Sequence, residues 1–333
     1  MDLPVTRRSW LSALLVERAV RLLWLLPLAM AGLFTLISLA PVDPVQAYIG
    51  ERMALIGPEQ HAAIAETWGL NAPLHERFLN WLSHLAQGDL GSSITFNAPV
   101  LDLILNRASA SLPLIGMAFA ISFLLGTGLG LVAAASRGHW PDRCIRALAV
   151  VLAASPGFWI AILLIAAFAV GLGWLPGCCA APVGLTADEV GGADWLRHLI
   201  LPAVAVSVVG ISPLILHTRA RATAFLESPA AAHLAAHGAR ALPLTFRWGL
   251  RHALGPALTI HLAGAGELIG GSILAETVFA WPGLGQAAVR AATGADAPLL
   301  MGIAMATLLL VFAGNLLADI AAHLLDPRLR RPE

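Results

Sequence analysis

Long apolar stretches alternate with short arginine-bearing segments, and that alternation places the helices. Leu22–Pro41 and Leu112–Ser136 carry no charge over the roughly 20 residues that a bilayer crossing needs. Ala147–Ala187 is uncharged over 41 residues, more than one crossing uses. Ser155-Pro156-Gly157 interrupts its first part, and Gly173-Trp174-Leu175-Pro176-Gly177 marks an interfacial exit. The pattern predicts one broken span from about Arg146 to Leu175, followed by a loop. Leu199–Thr218, Ala253–Ala275 and Pro298–Ala318 bring the predicted spans to six.

Two connections are longer than turns. Residues 42–111 carry turn signals and two amphipathic stretches, one with Phe78, Trp81, Leu82 and Leu85 at helical spacing. A small external insertion of helices is expected there. Residues 219–252 are rich in Ala and Arg, and Pro229 and Pro243 bound an expected helix from about Ala230 to Leu242. A helix lying at the membrane surface is suited to dock into a groove on a soluble partner.

Arginine sets the orientation. With both termini inside, the inner segments hold fifteen of the twenty Arg, and the outer ones keep Arg52, Arg77, Arg107, Arg197 and Arg290. That is the positive-inside pattern, which the reverse orientation would invert. The expected organisation is an inner N-terminus (1–21), a first span (22–41), an external helical segment (42–111), a core with spans two to six (112–325) and an inner tail (326–333). Leu22–Pro41 is longer than a signal-peptide core and lacks a prompt small-residue cleavage site, so it reads as a retained span.

Composition agrees and removes function classes. Of 333 residues, 58% are hydrophobic and 12% charged, against about 25% charged in a soluble domain. All twenty basic residues other than His are Arg; there is no Lys. A P-loop lysine for ATP phosphates and a Schiff-base lysine are therefore both excluded. A formal net charge of zero gives no basic footprint for nucleic acid. Cys144, Cys178 and Cys179 are too few for a disulfide framework. The adjacent pair leaves open a vicinal bridge, a soft-metal site or two small loop residues.

Ionisable residues at membrane depth are costly and are functional candidates by default. The candidates for a translocation path are Glu267, His261 and Glu276, with Phe279 and Trp281 beside the last. Gly266 and Gly270 flank Glu267 as a GxxxG pair, which lets helices approach closely. A substrate-path role and a buried structural hydrogen bond both fit Glu267. His261 lies six residues earlier, roughly 120° around a helix, and shares no metal face with it. Asp319, four residues after Asn315, is expected to anchor the last helix at the inner interface. His233 and His237 have metal-ligand spacing on the inner helix, but no further ligand motif accompanies them. Gly126-Thr127-Gly128-Leu129-Gly130 sits within an apolar span and reads as packing, not as a dinucleotide loop. No catalytic arrangement and no metal-binding set emerges.

Six short motifs then occur in order. They are Leu39-Ala40-Pro41-Val42-Asp43-Pro44, Trp68-Gly69-Leu70-Asn71-Ala72-Pro73-Leu74, Gly88-Asp89-Leu90-Gly91-Ser92-Ser93, Pro156-Gly157-Phe158-Trp159, Glu276-Thr277-Val278-Phe279-Ala280-Trp281-Pro282-Gly283-Leu284-Gly285 and Leu325-Asp326-Pro327-Arg328-Leu329-Arg330. The series resembles the first permease subunit of the bacterial peptide/nickel class of ABC importers, over nearly the whole chain. The resemblance implies an all-α, MetI-like permease fold in the bacterial cytoplasmic (inner) membrane. It implies a second homologous permease, two cytoplasmic ATP-binding subunits that carry ATP and Mg, and an external substrate-binding protein. This chain itself would hold no cofactor.

The same resemblance implies that the inner helix couples to the ATPase through Ala232, His233, Leu234, Ala235, Ala236, His237 and Gly238. The usual charges of that motif are missing here, Gly238 keeps its glycine, and docking through apolar contacts is expected. Gly266-Glu267-Leu268-Ile269-Gly270-Gly271 and Phe96-Asn97-Ala98-Pro99-Val100-Leu101-Asp102 resemble the nickel and metal-chelate branch more than the dipeptide branch. Nickel or a metal chelate is therefore the expected cargo, with di- or oligopeptides as the alternative. An intramembrane enzyme on Glu267 and His261, and a proton-coupled transporter on Glu267 and Asp319, are the readings from other classes.

Overall fold

In the computed structural model the described residues are 7–40, 45–46, 57–67, 69, 71–182 and 190–325. Pro41 to Pro44, Arg52, Trp68, Leu70 and the whole of the expected tail 326–333 lie outside them. Helices α1 (Arg7–Leu39), α2 (Pro58–Thr67) and α3 (Leu74–Ala86) come first. A two-stranded antiparallel ribbon follows, β1 (Ser92–Ser93) with β2 (Ala98–Pro99), and runs into α4 (Val100–Ala135). Next are α5 (Trp140–Ala154) and α6 (Gly157–Leu164), which continues as a π-helical turn at Ile165–Gly171. The long α7 (Gly192–Leu226) leads to α8 (Pro229–Ala236). A helical turn at Ala241–Pro243 and a second π-turn at Leu244–Gly249 feed α9 (Leu250–Ala263) and α10 (Ala265–Val278). The last two are α11 (Leu284–Thr293) and α12 (Ala297–Leu325).

By length and composition α1, α4, α7 and α12 are each long and apolar enough to cross a membrane, and two bent pairs raise the number to as many as six. Several boundaries differ from the sequence expectation. The first helix begins about four turns before Leu22, and within its charged entry Arg21 Nη2 pairs with Glu17 Oε1 at 2.7 Å, one turn away. The expected external segment ends at residue 111, inside α4, which starts at Val100. Pro113 sits within that helix without ending it.

The expected broken third span bends by 108° between α5 and α6. Pro156 has no N–H to donate and holds Ser155 at ψ 130°, off the helix. The fifth span, expected to be continuous, is also broken. It bends by 53° at Gly264, whose ψ of 3° leaves the helical well.

The chain divides into two compact units, one of Met1–Val16, Leu112–Trp281 and Leu310–Glu333, the other of Glu17–Ser111 and Pro282–Leu309. The first is organised on α7, where 67% of the most apolar window is buried. Gly126 and Gly130 of α4 lie directly against it. A methyl on Gly126 would stand 2.5 Å from Leu214 Cβ, and one on Gly130 2.7 Å from Thr218 Cβ and 2.8 Å from the Ile215 carbonyl oxygen. Ala118, Ala161, Leu201, Val206, Leu268 and Phe279 form its main apolar cluster.

The second unit packs Leu284, Ala287 and Ala291 of α11 with Val100, Ile104, Leu299 and Ile303. Phe78 and Trp81 of α3 pack on Met30, Phe34 and Met301, which accounts for their helical spacing in the sequence. Asp296, fully buried, joins the ribbon to α12. Its Oδ1 accepts from Leu299 N at 3.1 Å, and its Oδ2 accepts from Ser93 Oγ at 2.5 Å and Thr95 N at 2.9 Å. One carboxylate thus caps the helix and closes the ribbon turn.

Candidate functional site

The expected coupling helix is α8, and both of its ends are capped. Ser228 Oγ accepts from Ala231 N at 3.3 Å, and Pro229 occupies the first position. The helix stops at Ala236, well before Leu242. Gly238 takes φ +87°, Gly238 N donates to Ala235 O at 2.9 Å, and Ala239 N donates to Leu234 O at 3.0 Å. This six-to-one, five-to-two pairing is a Schellman turn, which needs a left-handed residue at Gly238.

Ala231 is buried and Leu234 half-buried, so these two seat the helix on the chain. Ala232, His233, Ala235, Ala236, His237 and Gly238 are exposed. The presented surface is therefore Ala and His, with Leu234 turned toward the chain. His237 Nδ1 lies 2.9 Å from His233 O, and the two rings are 4.3 Å apart. Among the described residues no third ligand-type side chain joins them to form a metal site.

Two ion pairs fix the approach to α8. Asp142, 1% exposed, accepts from Arg219 Nε at 2.5 Å and Nη2 at 2.8 Å, and from Gly138 N at 3.1 Å. Arg146 Nε stands 3.4 Å from the same carboxylate. Arg137 pairs with Glu227, the residue before the Ser228 cap. Both pairs tie the turn between α4 and α5 to the end of α7, from which α8 departs. From the sequence alone Arg137, Arg146 and Arg219 register only as topological charges. The missed signal was that Asp142 and Glu227 are acids placed among those inner arginines.

The membrane-depth candidates separate. His261 is buried within its own chain. Its Nε2 lies 3.0 Å from Phe119 O and 3.1 Å from Ser122 Oγ, and its ring stacks at 3.9 Å on Phe119. Gly210 makes the room, since a methyl there would reach 3.0 Å from His261 Cε1 and from Ser122. Glu276, Phe279 and Trp281 are also buried.

These three serve the end of α10, where Trp281 N donates to Glu276 O at 2.8 Å and Ala280 N to Thr277 O at 3.3 Å. Ala280 adopts φ +50° in that turn. Cys179, at φ +69°, adds a bond from its N–H to Phe279 O at 2.7 Å. Cys178 and Cys179 are unbridged. A hydrogen bond with Cys178, then burial, pushes the Cys179 thiol up to about 11.

Glu267 alone is exposed, in the first turn of α10. Gly266 beside it packs on α12, with Val311 3.2 Å from where a Cβ would stand, whereas Gly270 faces open space. The expected glycine pair is therefore one contact glycine and one free one. Asn315 Nδ2 donates to Val311 O at 3.1 Å within α12.

Comparison with known proteins adds the family context. A family model described as "Binding-protein-dependent transport system inner membrane component" matches residues 126–331. The chain is 33% identical to the di/tripeptide transport system permease protein DppB of Pseudomonas aeruginosa, covering 89% of this chain and 92% of that one. It is 32% identical to the oligopeptide transport system permease protein AppB of Bacillus subtilis, again covering 89% and 92%. With the dipeptide transport system permease protein DppB of Alkalihalophilus pseudofirmus it shares 30% identity over 93% and 98%.

Proposed function

The chain belongs to the family of binding-protein-dependent transport system inner membrane components, and from that membership we propose that it forms half of a translocation path for di- or oligopeptides. It is a multi-pass protein of the bacterial inner membrane and a permease subunit of an ABC importer. The observation that carries the cargo reading is the match, over about nine tenths of this chain, to permeases named for peptides. The metal-chelate reading loses support on the same ground.

Hydrolysis of ATP belongs to partner subunits, because a chain without Lys offers no P-loop. Both termini lie inside, as the fifteen inner arginines require. The Ala/His face of α8 docks on the ATPase, and the Asp142–Arg219 and Arg137–Glu227 pairs transmit its displacement to α5 and α7. Exposed on its own chain yet placed at membrane depth, Glu267 must face a polar surface, since a carboxylate toward lipid is costly. That surface is the path shared with the second permease.

The test is uptake into proteoliposomes that hold the full complex and its binding protein. ATP-dependent uptake of a labelled di- or tripeptide, lowered by Glu267→Gln, is expected. Nickel-chelate uptake with no peptide uptake would overturn the cargo assignment.

A further inference from the structure

The external segment holds a cavity of about 540 Å³ within the second unit, in the size range of small-molecule sites. Its described lining includes Phe34, Arg77, Asn80, Trp81, Asn97 and Met301. Most of the wall is apolar, and the polar groups gather on α3 and on the ribbon turn. Arg77 is the one full charge among the described lining residues. It is half-buried, and its guanidinium carbon stands 5.8 Å from the Phe34 ring centroid.

Three arginines of the first unit have polar anchors. Arg219 has Asp142, Arg137 has Glu227, and Arg197 Nη2 donates to Trp174 O at 3.3 Å. Arg77 has the aromatic face alone: no described residue supplies it with a carboxylate. A guanidinium beside an aromatic ring, with no carboxylate on it, keeps its donor fork free for a planar anion. The lining Asn80, Asn97 and Ser92 side chains supply hydrogen bonds of either sense. We propose that this cavity is a binding site for a carboxylate carried on a small apolar body, with Arg77 holding the carboxylate and Phe34, Trp81 and Met301 enclosing the body. The assignment does not depend on which cargo crosses.

That chemistry has two sources, the C-terminus of a short peptide and a medium-chain fatty acid, so the test has two arms. Binding of labelled leucyl-leucine and of octanoate is measured on the full complex in nanodiscs, without nucleotide or binding protein, beside leucyl-leucinamide and octanamide. The expected result is that one acid at least binds and that its amide is about 10- to 100-fold weaker, the value of a charge-assisted pair in a partly dry site. The tighter acid names the source. Arg77→Gln should lower the acid's affinity by a similar factor and leave the amide unchanged. Ala72→Phe, which fills the cavity and spares Arg77, should abolish binding of both. Absence of binding by either acid, equal affinity for acid and amide, or an unchanged affinity in Arg77→Gln with intact thermal unfolding would each overturn the assignment.

Discussion

Gly126, Gly128 and Gly130 form an internal experiment on helix packing, because the same substitution should have different effects two residues apart. In an exposed helix, Gly→Ala gains about 1 kcal/mol of helical propensity. Nothing lies within 4 Å of a methyl placed on Gly128, so Gly128→Ala should realise much of that gain. On Gly130 the new methyl would stand 2.7 Å from Thr218 Cβ and 2.8 Å from Ile215 O. The second is a backbone atom of α7, and it yields only if the helix moves. Overpacking of this kind costs about 1–3 kcal/mol, so Gly130→Ala should forfeit the propensity gain and lie about 1–3 kcal/mol below Gly128→Ala.

The measurement is reversible unfolding of the two variants in mixed micelles by titration with SDS. A third variant sharpens it. Thr218→Gly in the Gly130→Ala background removes the Cβ that is struck but leaves the Ile215 oxygen, so rescue should be partial. Equal stability of Gly130→Ala and Gly128→Ala, or complete rescue by Thr218→Gly, would refute close backbone contact between α4 and α7.

Arg219→Ala leaves the buried Asp142 carboxylate with only Gly138 N–H and a more distant Arg146, and should cost about 3–5 kcal/mol. The Asp142→Ala/Arg219→Ala double variant should cost less than the sum of the two singles, and strict additivity would count against the pair. Gly238→Ala, forced to φ +87°, should lose about 1 kcal/mol and lower the ratio of transport to ATP hydrolysis in the full complex; unchanged coupling would remove α8 as the docking element. The raised Cys179 thiol should alkylate slowly with a membrane-impermeant maleimide at neutral pH and faster as pH climbs toward about 11, because the thiolate is the nucleophile. Cys178→Ala removes the largest cause of the shift, so Cys179 should then label faster at a given pH; an unchanged rate would count against the thiol–thiol bond.

Punctuation along the chain is legible because it acts over a few residues. Pro156 foretells the break between α5 and α6, and Ser228-Pro229 with Gly238 are the start and stop of α8. The stop was misread because Ala239 to Leu242 extends an Ala-rich run in which every residue tolerates a helix. The bend at Gly264 was missed for a related reason. Gly264, Gly266, Gly270 and Gly271 are alike in sequence, and only tertiary contact decides which one leaves the helix. Pairings over long separations were out of reach. Asp142 meets Arg219 across 77 residues and Ser122 meets His261 across 139. A histidine at membrane depth looks the same in sequence whether it lines a path or fills a core.

Hydropathy reports depth in the bilayer but not the direction a residue faces. The most apolar windows of α1 and α7 have nearly equal mean hydropathy, 2.2 and 2.4, yet 11% of the first and 67% of the second are buried. Lipid is as apolar as a protein interior, so the same leucine serves on either side of a helix. What still distinguishes the sides is size and charge. Gly126 and Gly130, one turn apart, mark the side of α4 that touches α7, while Gly128 marks none. Glu267 marks a side of α10 by the opposite logic, as a group that neither lipid nor core accepts unpaired. The exposed carboxylate of Glu267 and the contact glycine at Gly266 are adjacent in sequence and project about 100° apart on one helix. One face of α10 is thereby committed to α12, and another is left exposed on this chain.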